Sequence, residues 1–75
     1  MTKIDVKPLT HWAIYRGYKL RFRSRTPEQV TGVLTSAGGA ELAFTYAPAT
    51  LTLQLAGEGI RINDYGWEVE RWTVA

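Results

Sequence analysis

The fold of this chain depends on the structure of the stretch TPEQVTGVLTSAGG, residues 26–39. Thr26 is a good helix N-cap, Pro27 suits the first helical position, and Gln29 completes a Thr-x-x-Gln capping box. Apolar residues then follow at helical spacing, and two glycines supply a stop signal. These features predict a helix over about 27–37. The apolar positions are Val30, Val33, Leu34 and Ala37.

The composition of the same stretch favours a different structure. Residues 30–35 consist mainly of β-branched residues and glycine, which are weak helix formers. A β-hairpin that pairs residues 30–35 with residues 40–46 across a turn at 36–39 is therefore the alternative. With the helix the chain is an α+β domain, and with the hairpin it becomes an all-β small barrel.

Outside this stretch the sequence is typical of short strands. Residues 1–10 contain a proline and little periodicity, so we interpret them as an N-terminal arm followed by a single domain over 11–75. The expected fold is α+β: an antiparallel sheet of about five strands with the helix on one face. Alternation places Trp67 and Val69 among the residues that face the helix. The same alternation of apolar and polar residues predicts strands near 12–15, 18–23, 42–46, 51–55, 60–62 and 67–72.

Catalytic chemistry lacks its usual side chains in this sequence. The 75 residues include no cysteine and one histidine, His11, and the two serines, Ser24 and Ser36, stand beside predicted turns. A nucleophile needs a neighbouring base and an orienting third group, and a metal site needs several convergent ligands. Glu68 and Glu70 share a strand face, but we interpret them as ion-pair partners of basic residues. The sequence therefore predicts a protein that is not an enzyme and uses no cofactor or metal.

The composition predicts a folded cytoplasmic domain. Hydrophobic residues make up 45% of the chain, as in ordinary folded domains. The longest uncharged stretch, 42–57, is interrupted by polar residues and a proline, so no membrane span is expected. The first residues lack the apolar run of a signal peptide, and the lack of cysteine fits a reducing compartment.

Charge is distributed unevenly along the chain. Residues 1–25 carry seven Lys or Arg and one Asp, a net charge of +6, whereas residues 26–75 carry two Arg and six acidic residues, a net charge of −4. Such asymmetry can mark a surface for nucleic acid or for an acidic partner. The alternative is that Glu68 and Glu70 on the last strand neutralise the basic strand.

The predicted binding surface combines the basic strand with exposed aromatic residues. Arginine binds carboxylate and phosphate with two parallel hydrogen bonds, and Arg, Tyr and Trp dominate interface hot spots. The aromatic residues inside the basic strand alternate to its opposite face, which weakens the case for stacking on nucleic-acid bases. The predicted partner-binding residues are Tyr15, Arg16, Lys19, Arg21, Arg23, Arg25 and Trp72.

Three hypotheses of function follow from this surface. The first is a small binding or regulatory protein, an inhibitor or adaptor of the kind that phages and mobile elements carry, which docks on a protein or nucleoprotein with an acidic surface. The second is direct binding of DNA or RNA, which predicts an affinity that falls steeply with salt. The third is a structural subunit that self-associates, for example as a homodimer, through an edge strand.

Overall fold

One helix and six strands make up the folded chain. The structure is a computed structural model and describes residues 4–74. The elements are α1 (Lys7–Tyr15), β1 (Lys19–Arg25), β2 (Val30–Thr35), β3 (Glu41–Ala47), β4 (Thr52–Leu55), β5 (Glu58–Ile62) and β6 (Glu68–Thr73).

The strands form one open antiparallel sheet in which each strand pairs with its neighbours in sequence, in the order β1-β2-β3-β4-β5-β6. The helix packs against β1 and β5 on one face of this sheet. The predicted α+β class is therefore confirmed, and the alternative of a closed barrel is not formed. No helix among residues 4–74 is long and apolar enough to cross a membrane.

The helix predicted over 27–37 is wrong, because that stretch contains a turn and strand β2. The alternative hairpin is correct: β2 and β3 pair from Val30 opposite Tyr46 to Thr35 opposite Glu41. β-branched residues fit a pleated surface better than a helix, and β2 also gains a second partner in β1. Pairing on both sides therefore prevails over the helical spacing of the apolar residues.

The capping-box residues make their expected hydrogen bond, but within a turn. The backbone N–H of Gln29 donates to Thr26 Oγ1 over 3.1 Å, and the two residues also exchange backbone hydrogen bonds. Pro27 then occupies the second position of a four-residue turn, where its fixed φ is equally suitable. A helix start and a β-turn share these first hydrogen bonds, so the local pattern does not distinguish them.

Helix α1 lies where the sequence predicted the end of an arm and a strand near 12–15. The predicted boundary at residue 10 therefore falls inside a folded element. Leu9, Trp12 and Ala13 follow the spacing of one helix face and are buried. The alternation of Trp12 with Ile14 suggested a strand, but Ile14 is 66% exposed and belongs to the outer side of the helix.

A glycine ends the helix in a hydrogen-bonded C-terminal motif. Gly17 has φ +77°, a left-handed conformation that glycine adopts at little cost. Its N–H donates to the Ile14 carbonyl, and the N–H of Tyr18 donates to the Ala13 carbonyl, which together form a Schellman motif. The Tyr18 ring then stacks on Trp12 with 5.7 Å between centroids, so the chain enters β1 in a fixed direction.

The core lies between α1 and the sheet face that it covers, which we call the inner face. Tyr46 is fully buried in this core, but its hydroxyl has no hydrogen-bond partner among the described residues. Burial raises the pKa of Tyr46 to about 12, and the carboxylates of Asp5 and Asp64 add to the shift. The buried core residues are Leu9, Trp12, Ala13, Val30, Leu34, Phe44, Tyr46, Leu53, Ile60 and Ile62.

Each edge strand contains a β-bulge that redirects its charged side chains. Arg23 in β1 and Val69 in β6 are extra residues with no partner on the neighbouring strand. One extra residue reverses the alternation beyond the bulge. Arg25 and Glu68 consequently lie opposite buried residues of β2 and β5, on the inner face. The alternation in the sequence had instead placed Glu68 on the same face as Glu70, away from the helix.

Candidate binding surface

The structure separates the predicted binding residues into three places. Lys19, Arg21, Arg23 and Arg25 lie along β1, at one edge of the sheet. Two other predicted residues, Tyr15 and Arg16, lie at the C-terminal end of α1. The third place is the opposite edge of the sheet, where β6 carries Trp72.

The basic edge, defined as Lys19, Arg21, Arg23 and Arg25, is exposed and has no acidic partner. All four residues are exposed. Among residues 4–74, the ion pairs involve the three arginines outside β1 and none of these four cations. The alternative, neutralisation by the last strand, does not occur within the sheet, because β1 and β6 are its two opposite edges.

The basic edge presents its charge in two directions. Lys19 and Arg21 project from the outer face, opposite Thr35 and Val33 of β2. Beyond the bulge, the Arg25 guanidinium lies 4.1 Å from the centre of the Phe22 ring, a cation–π distance. Arg25 also borders an open hollow of about 490 Å³ that is lined by the four residues preceding Pro8. The cations are thus spread around one edge of the sheet and do not form a single flat row.

Glu68, predicted as a partner of the basic strand, instead holds the helix to the last strand. Its Oε1 accepts hydrogen bonds from Trp12 Nε1 at 3.1 Å and from Arg71 Nη2 at 2.5 Å, and it also pairs with Arg16. The second predicted neutraliser, Glu70, pairs with Arg61 on the outer face at 3.5 Å. Both acidic residues of β6 are therefore satisfied locally.

Burial raises the pKa of Glu68, but the hydrogen bonds from Arg71 and Trp12 and the charges of Arg16 and Arg71 outweigh it and hold that pKa below 4.5. A carboxylate whose pKa is lowered by folding stabilises the protein above its unfolded pKa. That contribution is lost as the pH falls through the lowered folded value. The attachment of α1 to β6 through the Glu68 carboxylate is therefore expected to weaken at acidic pH.

Glu68→Gln is expected to lower the free energy of unfolding at pH 7 by about 2 kcal/mol, because it removes the charge that Arg16 and Arg71 share and leaves Arg71 only its longer contact with Glu58. The difference between wild type and variant should narrow as the pH falls below 4.5, where the wild-type carboxylate becomes protonated. Urea unfolding followed by circular dichroism at several pH values measures both effects. Glu70→Gln is the control, with an expected change within about 0.5 kcal/mol. A constant difference down to pH 2 would contradict the assignment.

An exposed aromatic pair lies beside this carboxylate, and the sequence interpretation missed half of it. Tyr15 and Trp67 stack with 4.6 Å between centroids, and they are 61% and 55% exposed. They line an open cleft of about 340 Å³ together with Arg16, Glu68 and neighbouring residues. Alternation assigned Trp67 to the core, but the bulge at Val69 turns Glu68 inward in its place. No feature of the sequence indicates that Glu68, and not Trp67, faces the helix.

Trp72 is placed mainly by contacts within the sheet. It lies opposite Gly59 on the outer face and is 38% exposed. A Cβ atom at Gly59 would collide with the Trp72 indole ring, so the ring covers the glycine closely. Trp72 therefore belongs to the β6 edge and not to the basic edge with which the sequence grouped it.

The basic edge is the part of the surface where charge is concentrated and not compensated. The carboxylate of Glu68 contacts α1 from the start of β6, and Trp67, in the loop before β6, stacks on Tyr15 of α1, so both have an evident role in the fold. The basic edge has no comparable internal partner among the described residues, which makes it the candidate binding surface. Comparison of the chain with protein-family models, curated proteins and solved structures finds no match.

Proposed function

We propose that this chain is a small non-enzymatic binding protein that docks on an acidic surface of a protein or nucleoprotein through its basic edge. One observation carries the proposal. The four cations of one edge strand are exposed and unpaired among residues 4–74, whereas the arginines outside that strand, Arg16, Arg61 and Arg71, are all in ion pairs.

Four cations on one strand disfavour one another unless a partner compensates their charge. Like charges along one strand repel one another, and these four form no ion pair among residues 4–74. A partner that supplies carboxylates or phosphates relieves this repulsion, and arginine binds both groups with two parallel hydrogen bonds. Complementary charge also steers the encounter over roughly a Debye length, about 8–10 Å at physiological salt.

A protein surface fits the basic edge better than single-stranded nucleic acid does. Binders of single strands place stacking aromatic rings beside their cations. The outer-face neighbours of Lys19 and Arg21 are small aliphatic or hydroxyl side chains of β2, namely Val33 and Thr35. Carboxylates on a folded partner need no stacking platform, so we favour an acidic protein surface.

The proposed role is that of an adaptor or inhibitor in the cytoplasm. The absence of cysteine from the chain favours a reducing compartment. Regulatory proteins of this size, such as those of phages and mobile elements, act by occupying a surface of a larger target. Occupancy of an acidic target surface is therefore the activity that an experiment needs to detect.

Affinity capture from the native host tests this proposal with two variants that change the net charge equally. Arg23→Glu reverses a cation of the basic edge, and we expect it to weaken retention of the partner at least tenfold. Gln54→Glu combined with Ala56→Glu changes the net charge by the same amount at two exposed positions away from that edge and should retain the partner as the wild type does. Equal retention by wild type and Arg23→Glu would overturn the proposal. Loss of the captured material after nuclease treatment would favour direct nucleic-acid binding instead.

A further inference from the structure

The second edge of the sheet carries exposed apolar side chains. Val69, Trp72 and Val74 on and just after β6 are 56%, 38% and 45% exposed. An edge strand also presents a row of unpaired backbone N–H and C=O groups, which is a template for pairing with another strand. Exposed apolar residues along such an edge are typical of an interaction surface.

The topology makes the two edges of the sheet geometrically compatible with each other. Six antiparallel strands in sequence order leave β6 running opposite to β1. If β6 of one copy lies beside β1 of a second copy, the pair is antiparallel and continues the sheet, with both inner faces on the same side. Two copies of β1, or two copies of β6, would not continue the strand order in this way.

One register brings complementary side chains together. The regular stretch before the bulge of β1 is 19–22, and the regular stretch after the bulge of β6 is 70–73. When Arg21 lies opposite Glu70, Lys19 lies opposite Trp72. All four of these residues belong to outer faces, so this register forms an ion pair and a cation–π contact side by side. The two bulges then fall together at one end of the paired stretch.

Charge disfavours pairing between two β1 edges. β1 against β1 would oppose two sets of four cations, whereas β6 carries Glu70, which pairs with Arg61 within its own copy, toward Arg21 of the next. The inner-face contacts are compatible as well, since half-buried Leu20 would lie beside the aliphatic part of Arg71. Bulges and charges on edge strands discourage indiscriminate pairing, and here the charges favour β6 against β1 over β1 against β1.

We propose that copies of this chain associate head to tail, with β6 of one copy paired antiparallel to β1 of the next. This association goes beyond the proposed docking function and does not depend on it. Arg23 and Arg25 lie outside the paired stretch and stay accessible to a partner. Each added copy repeats these cations, so an assembly would bind an extended acidic surface with higher avidity than one copy.

Light scattering and analytical ultracentrifugation over a concentration series test the association. The wild type should have a mass of two or more copies that decreases on dilution and at high salt. Arg21→Glu and Glu70→Arg each place like charges across the interface, so each should raise the dissociation constant more than tenfold. Thermal unfolding of each variant checks that the monomer stays folded. A wild-type mass of one copy at the highest concentration would overturn the proposal.

Mixing the two variants provides the sharper test. In an equimolar mixture, the glutamate introduced at position 21 of one variant meets the arginine introduced at position 70 of the other across one interface. The second interface keeps the native pair of Arg21 with Glu70. Association should therefore return to near the wild-type level in the mixture, although each variant alone stays monomeric. Failure of the mixture to associate would contradict the head-to-tail register.

Glu70→Arg also separates the two proposals, because it leaves the basic edge intact. Retention of an acidic partner by monomeric Glu70→Arg supports docking independently of association. If the wild type associates but neither the wild type nor Glu70→Arg retains any partner, the docking proposal fails and the association stands. If the wild type is monomeric but its partner is lost in Arg23→Glu, the association fails and docking stands.

Discussion

Gly32→Ala is expected to lower the free energy of unfolding by about 2–3 kcal/mol, because the added methyl group has no space in the sheet. Gly32 is buried in β2, and its Cβ would lie 2.8 Å from the Phe44 ring and closer still to the Arg21 carbonyl oxygen. The ring can turn, but the carbonyl belongs to the backbone of the adjacent strand. Urea unfolding followed by circular dichroism measures the loss.

Gly38→Ala is the matched control for this substitution. Gly38 has ordinary backbone geometry, and a Cβ there would meet only Ser36 Oγ, at 3.9 Å. We expect a change within about 0.5 kcal/mol, typical of an exposed site outside special features. Equal effects of the two substitutions would show that close approach of β1 to Gly32 is not needed for stability.

The effect at Gly32 extends to the candidate binding surface. Gly32 lies opposite Phe22, directly before the bulge at Arg23. A methyl group there would push β1 away from β2 and displace the basic edge as a unit. Partner binding by any folded Gly32→Ala protein should therefore weaken even though no charge is altered.

Strand periodicity and turn chemistry predicted most of the sheet. The alternation over 42–46 and 51–55 corresponds to β3 and β4, and the loop between β5 and β6 contains Gly66 at φ +87°, a conformation typical of a turn glycine. These signals are local, so they can be recognised from neighbouring residues alone. The stretch 26–39 is different, since its outcome depends on pairing with β1 and β3.

Helix α1 could not be found in the same way. A nine-residue helix is too short to be stable by itself, and it exists because Leu9, Trp12 and Ala13 are buried against the sheet. The sequence does contain two helical signals that could have been weighed, Pro8 in the first turn and the glycine after the apolar residues. Gly17 follows the C-cap residue Arg16 and closes the C-terminal motif, but a strand bulge or a tight turn requires glycine equally well.

The composition of the candidate site followed from the sequence, but its geometry did not. The concentration of cations in β1 is visible in the sequence. Their lack of partners depends on strand order, which places Glu68 and Glu70 on the far edge of the sheet. The bulges at Arg23 and Val69 are set by cross-strand register, and they decide which charged residues turn toward the helix. Both features are non-local, so periodicity within one strand cannot reveal them.

Gly66→Ala is expected to cost about 3 kcal/mol of unfolding free energy, the sum of a left-handed-backbone cost of about 1 and a packing cost of about 2. Gly66 is buried with φ +87°, and a Cβ there would lie 2.7 Å from the Trp12 backbone nitrogen and 2.8 Å from the Pro8 carbonyl oxygen. Both atoms belong to the backbone of α1, so they cannot move away without moving the helix. A domain of this size has roughly 3–5 kcal/mol of net stability, so most of it would be lost.

Gly39→Ala separates the backbone cost from the packing cost. Gly39 has φ +91°, nearly the same conformation, but a Cβ there has no neighbour within 4 Å. We expect this control to cost about 1 kcal/mol, the backbone component alone. Only Gly66→Ala should also shift the tryptophan fluorescence of the folded protein, because Trp67 follows Gly66 and stacks on Tyr15 of α1. An equal loss in both variants would mean that the loop does not hold the helix, and the position of the aromatic pair would then need another cause.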